Sequence, residues 1–135
     1  QDGTGDGLIA KYGATGAAES VARGLGLGNH GMLLGKDGRV LAFGPERVTS
    51  GSYETDIVLV GPSGSIEDTL TVPVANVRGS NAILAEDGTL YLTGIAPPEI
   101  AQLIAVQTPV PGFAPEDYGW TRGFGRNSRS DGWAR

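Results

Sequence analysis

Apolar and polar positions along this chain change over in short bursts, and a helical stripe is never sustained. Asp56-Ile-Val-Leu-Val60 is β-branched and stops at Gly61-Pro62-Ser63-Gly64. Residues 65–74 alternate for most of their length, and Pro73, lacking an N–H for a central ladder, assigns that strand to a sheet edge. Met32-Leu33-Leu34 and Val40-Leu41-Ala42-Phe43 flank Gly35-Lys-Asp37-Gly38-Arg39. An Asp-Gly pair between two apolar runs predicts a hairpin, closed here by a tight primed turn with Gly38 at positive φ. Ile83-Leu84-Ala85 and Leu90-Tyr91-Leu92 repeat the figure around Glu86-Asp87-Gly88-Thr89. Asp37, Gly38, Asp87 and Gly88 are thus predicted to be turn residues.

Elsewhere the pattern is weaker. Residues 8–12 form a candidate first strand. Residues 17–23 fit two helical turns stopped by Gly24, or an extended edge segment. After Pro97-Pro98-Glu99, the i, i+3, i+4 spacing of Ile100, Leu103 and Ile104 predicts a short helix, closed by Pro109, Pro111 and Pro115. The expected fold is all-β: short antiparallel strands and hairpins, as a sandwich or barrel or as propeller-like blades, with extended arms at both ends. Residues 1–7 form a flexible N-terminal arm, 8–112 a β-rich domain and 113–135 an extended Arg/aromatic C-terminal arm.

Composition agrees. Of 135 residues, 23 are Gly and 8 are Pro, which argues against a helical bundle because each helix-interior Gly costs about 1 kcal/mol relative to Ala. The net charge of −5 disfavours nucleic acid and anionic membranes as partners. No apolar run approaches the roughly 18 residues of a membrane span, and no signal peptide is visible. The absence of Cys removes disulfides, a thiolate nucleophile and Cys-based zinc sites, and leaves the redox compartment open.

The two hairpins lie 50 residues apart, with Asp37 matching Asp87 and Gly38 matching Gly88. A period near 50 with one hairpin per period is a propeller-like signal. The segment Gly28-Asn-His30-Gly-Met-Leu-Leu-Gly-Lys-Asp37-Gly38-Arg-Val-Leu-Ala-Phe43-Gly44 resembles one repeat of the regulator-of-chromosome-condensation family. The second copy, residues 79–94, lacks the His and has Thr93 where that family's aromatic stands. The family's fold is a seven-bladed β-propeller. The resemblance implies that two blades here need others, from oligomerisation or further chain, to close a ring. It also implies recognition of a glycan or protein at a loop face, with the loops around Tyr53 and Tyr91 as readers.

Motifs that carry chemistry are few. Gly26-Leu-Gly28-Asn-His-Gly31 matches G-x-G-x-x-G, but Gly35 and Asp37-Gly38 leave no room for the helix that meets a pyrophosphate. His30 is the sole His; with no G-x-S-x-G elbow and no thiolate beside it, it reads as a structural turn residue. Asp2-x-Thr4-x-Asp6-Gly7 opens like a calcium loop, yet Gly13 stands where a bidentate Glu is needed. The pairs Glu67-Asp68, Glu86-Asp87 and Glu116-Asp117 would serve a hydrolase if two acids converged across a cleft. A turn explains Glu86-Asp87 and a solvent face explains Glu67-Asp68. No catalytic residue, metal or cofactor is expected, and the chain reads as a non-enzyme.

The last 23 residues hold both Trp, five of nine aromatics and four of eight Arg, and almost no aliphatics. Trp120, Arg122, Phe124, Arg126 and Trp133 are the residue types enriched where proteins dock, and they are the predicted partner-binding residues. The expectation is a homo-oligomeric structural component that docks on neighbouring protein subunits through its arms. Its predicted setting is a virion or the extracellular space, as a capsid decoration or a tail or head fibre protein. The alternatives are the propeller-like binding module and a carboxylate-based hydrolase.

Overall fold

The computed structural model describes residues 7–23, 25 and 31–113. The proposed arms therefore fall almost wholly outside the described residues. Within them the chain is all-β, built from β1 (Ile9–Tyr12), β2 (Ala18–Ala22), β3 (Met32–Leu34), β4 (Val40–Val48), β5 (Tyr53–Val60), β6 (Ile66–Val72), β7 (Ala82–Leu84), β8 (Thr89–Ala96) and β9 (Ile100–Gln107). All pairings are antiparallel and form three sheets, ordered β1-β2, β3-β4-β5-β6 and β7-β8-β9. No described helix is long and apolar enough to cross a membrane.

One turn closes four of the hairpins. The N–H of Gly13, Gly35, Gly61 or Ala85 donates to the carbonyl four residues on, at 2.8–2.9 Å, and the N–H of Gly16, Gly38, Gly64 or Gly88 donates back at 2.9–3.1 Å. Each of these last four glycines has φ between 80° and 85°. This is the three-residue loop with a left-handed bulge residue, not the two-residue primed turn expected at Asp37-Gly38. Asp37 and Asp87 stand one place before that glycine. Their Oδ1 atoms accept the N–H of Arg39 (3.1 Å) and Thr89 (2.8 Å), which fixes the loop from inside.

Of the two alternatives for residues 17–23 the extended one holds: Ala18–Ala22 form strand β2, paired with β1. The expectation after Pro97-Pro98-Glu99 changes. The helix expected from Ile100 is strand β9: all eight residues pair with β8, from Ala96↔Ile100 to Thr89↔Gln107. Pro97-Pro98 and Glu99, at φ 74°, make the hairpin turn that begins it. The predicted edge strand holds: β6 flanks β5 with no strand on its far side among the described residues, and Pro73 follows it.

The sheets stack in three layers. One face of β3–β6, carrying Leu33, Leu41, Phe43, Ile57, Leu59 and Val72, packs on the inner face of β7–β9, carrying Ala82, Leu84, Leu90, Leu92, Ile104 and Val106. The opposite face of β3–β6 offers Val40, Val58 and Val60 to Ile9, Ala22 and Leu25 of the first layer. A crossover between β6 and β7 ties the two large sheets together. Thr55 Oγ1, fully buried, donates to the Val74 carbonyl at 2.7 Å, and Ala75 and Ile95 exchange backbone hydrogen bonds at 2.8 and 2.9 Å. After β9 the chain turns across the end of its sheet. Thr108 bonds Gly88, Val110 is buried in the main core, Lys36 N–H donates to the Pro111 carbonyl, and Gly112 N–H donates to the Ala85 carbonyl.

The 50-residue repeat is a repeat of turn and register. Leu34 faces Val40 as Leu84 faces Leu90, and Val40 faces Val60 as Leu90 faces Val106. The buried faces are opposite. The main core takes Leu33 and Leu41 from the first hairpin. From the second it takes Leu84 and Leu90, which match Leu34 and Val40. The two like layers therefore stack front to back.

Candidate docking surface

Front-to-back stacking leaves one front face open. In β3–β5 the front positions Leu33, Leu41, Ile57 and Leu59 are buried beneath the next layer. The register carries these positions onto Ile83, Tyr91, Leu103 and Ala105 of β7–β9. No further layer covers them among the described residues: Ile83 is 37% exposed, Tyr91 43% and Leu103 72%, and Ala105 is also exposed. Ile83 stands opposite Tyr91, Tyr91 opposite Ala105, and Thr93 opposite Leu103, so these side chains form one continuous patch. No acidic or basic residue lies on it. An exposed apolar patch of this kind marks an interaction site more often than a scatter of single apolar side chains does.

The patch ends at β9, a sheet edge. Its sequence, IAQLIAVQ, carries no charge and no Pro. Other edges are shielded. β3 and β7 have three residues each, and β6 carries Glu67 and Asp68. β1 and β2 carry Lys11 and Glu19, paired at 3.0 Å. Short strands and charges are the usual protection of an edge against pairing with another chain. Among the described residues β9 is the one edge strand that is both long and uncharged.

Several charged groups elsewhere are held by structural partners. The Arg47 guanidinium forks onto both Asp56 oxygens at 2.7 Å and reaches Glu54 at 3.2 Å, while Thr71 Oγ1 donates to Asp56 Oδ1 at 2.7 Å. The Arg47 hydrogen bonds hold the Asp56 carboxyl below its ordinary value, with Thr71 adding to the effect, and raise the guanidinium. The backbone N–H of Thr89 does the same for Asp87. No group of three His, Asp or Glu able to hold a metal occurs among the described residues. Glu67 and Asp68 lie along exposed β6, Glu86 and Asp87 sit in a turn, and Glu116 and Asp117 lie outside the described residues.

A cavity of about 620 Å³ opens between β1–β2 and β3–β6, lined by Ile9, Met32, Leu34, Val40, Val60 and Pro62 among others. Its two polar side chains already have partners: Lys11 pairs with Glu19, and Ser20 Oγ donates to the Pro62 carbonyl at 3.3 Å. The arrangement offers apolar contact and no reacting group.

Of the predicted site residues, Asp37, Gly38, Asp87 and Gly88 take their turn positions. His30 and the docking residues Trp120, Arg122, Phe124, Arg126 and Trp133 lie outside the described residues. Tyr53 and Tyr91, expected near reader loops, are strand residues: Tyr53 opens β5 and Tyr91 lies within β8. Sequence reasoning missed the patch of Ile83, Leu103 and Ala105. Its signal was present in β9, where apolar residues occupy both parities and not one. In comparison with known proteins, the chain matches no family model, no curated sequence and no solved structure.

Proposed function

We propose that this protein is a non-enzymatic structural subunit that assembles with neighbouring protein subunits, in the manner of a decoration or fibre component of a phage or virus particle. The observation that carries the assembly reading is the open front face of β7–β9, whose counterpart in β3–β5 is the centre of the main core. The particle setting draws support only from composition: Gly-rich and Arg/aromatic terminal segments around a small β-rich body, with only two Lys and no Cys. In this reading Trp120, Phe124 and Trp133 anchor on a neighbouring subunit, and Arg122 and Arg126 pair with its carboxylates.

The test is mass in solution by sedimentation. The full chain is expected to be multimeric, and a Trp120→Ala/Trp133→Ala variant is expected to assemble more weakly while keeping its thermal unfolding profile. A monomeric full chain at high concentration overturns the assembly reading. Equal assembly by the variant removes the C-terminal residues from it. A second reading, a propeller-like binding module, is favoured by the front-to-back stacking of the two hairpin layers. A monomer that binds glycans, and loses binding on Tyr91→Ala, would establish it in place of the first.

A further inference from the structure

We propose that β9 is the seam between two copies of this chain, which pair antiparallel along β9 about a two-fold axis near Leu103 and join their β7-β8-β9 sheets into one of six strands. This rests on the assembly reading and names its interface.

β9 lacks a neighbour that its counterpart has, among the described residues. In the first large sheet the strand matching β9 is β5, and β5 has a neighbour on each side, β4 and β6. In the second sheet β9 has β8 on one side and no strand on the other among the described residues. The chain does not turn back to fill that place directly. From Thr108 it crosses the end of the sheet toward β7, where Gly112 bonds Ala85. Eight residues thus present one row of backbone donors and acceptors without a described partner, which is the template for adding a strand.

Charge selects the occupant and its direction. The chain carries a net charge of −5, so two copies repel unless they meet through neutral surface. β9 and the patch beside it are the neutral surface. Antiparallel pairing centred on Leu103 sets Glu99 of one copy against Gln107 of the other, a carboxylate against an amide. Parallel in-register pairing would set Glu99 against Glu99. In the antiparallel register Leu103, exposed at 72%, meets its own symmetry mate, and Ala101 meets Ala105 on the same face. On the other face Ile100, exposed at 56%, meets Val106. The most exposed large apolar side chain among the described residues therefore lies at the centre of the seam.

The absence of Cys makes the test direct, because one introduced thiol is unique. Full-length Leu103→Cys and, as a control, Ser63→Cys in the exposed β5–β6 turn would be treated with a short bis-maleimide and read on denaturing gels. Efficient dimer cross-linking of Leu103→Cys, with Ser63→Cys at background, is the expected result. Sedimentation of full-length Leu103→Lys is expected to show at least a tenfold weaker dimer with the far-ultraviolet spectrum unchanged, since the exposed side chain contributes little to the fold. A multimeric chain whose Leu103→Cys variant fails to cross-link overturns the seam and leaves the assembly reading standing. A monomeric chain overturns both. A monomer in which Leu103→Cys is protected from a monofunctional maleimide shows that residues 114–135 of the same chain cover β9, and overturns the seam as well.

Discussion

Two glycines in matching turns separate backbone strain from crowding. Gly38 and Gly88 have φ of 84° and 85°, so any L side chain at either position costs roughly 1–2 kcal/mol of left-handed strain. Around Gly38 there is room: a Cβ would meet Pro62 Cγ at 3.9 Å. At Gly88 a Cβ would sit 2.6 Å from the Thr108 carbonyl oxygen and 3.2 Å from that of Val110, both backbone atoms held by the segment that follows β9. Gly38→Ala is therefore expected to cost about 1–2 kcal/mol and Gly88→Ala about 3 kcal/mol or more, measured by urea unfolding. Equal losses would show that the crossing segment yields freely. Thr55 makes a comparable point about polarity. Its hydroxyl is buried and donates to the Val74 carbonyl, so Thr55→Val keeps the shape, leaves that carbonyl unpaired and is expected to cost about 1–3 kcal/mol in the same measurement.

At the scale of elements, the strands that the chain announces are those that flank a glycine turn. Asp37-Gly38 and Asp87-Gly88 mark their hairpins because the carboxylate and the left-handed glycine are both local requirements of the loop. β9 misleads for a physical reason. Ile104 and Val106 face the core while Leu103 and Ala105 face outward, so the strand is apolar on both sides and Ile100, Leu103 and Ile104 fall at helical spacing. Pairing with β8 decides the matter, and pairing is not local. The same two-sidedness hid the patch, since nothing in the sequence states which parity the core will take. The Arg47 fork was equally hidden: it joins β4 to β5, with Thr71 of β6 completing it, across register that only the folded sheet defines. That fork carries a pH dependence. Asp56 has a depressed folded-state pKa, so its contribution is fully present above the ordinary carboxylate range and is lost as pH falls through the folded value. Asp56→Asn is expected to lower the unfolding midpoint at neutral pH, and its difference from the wild-type chain is expected to shrink as the pH falls below the ordinary carboxylate range. A difference that stays constant from neutral to acid pH would assign the loss to packing and not to charge.

Across the whole molecule the three layers are not held equally. The two large sheets share one core in which Phe43, Leu33, Ile57, Leu84, Leu90 and Leu92 are all fully buried, and the crossover bonds of Thr55 and Ala75 lock them together. The β1–β2 layer rests on a smaller cluster, Ala22 and Leu25 against Val58 and Val60, with Ile9 and Val40 only partly covered and the cavity beside them. Less buried apolar surface means a smaller free energy of local opening, because regions open separately in proportion to what they bury. Native-state hydrogen exchange is therefore expected to show β1–β2 amides exchanging through a low-energy opening, while amides in the centres of β4, β5 and β8 exchange only with global unfolding. Two substitutions separate the layers. Phe43→Ala is expected to cost about 3–5 kcal/mol and to speed exchange in both large sheets alike. Ile9→Ala is expected to speed exchange in β1–β2 while leaving protection of β4, β5 and β8 close to wild type, since the first layer can detach before the main core opens. One common exchange free energy for all nine strands would show instead that the small cluster is coupled to the large one, and that Val40, Val58 and Val60 transmit loss of the first layer directly into the sheet they belong to.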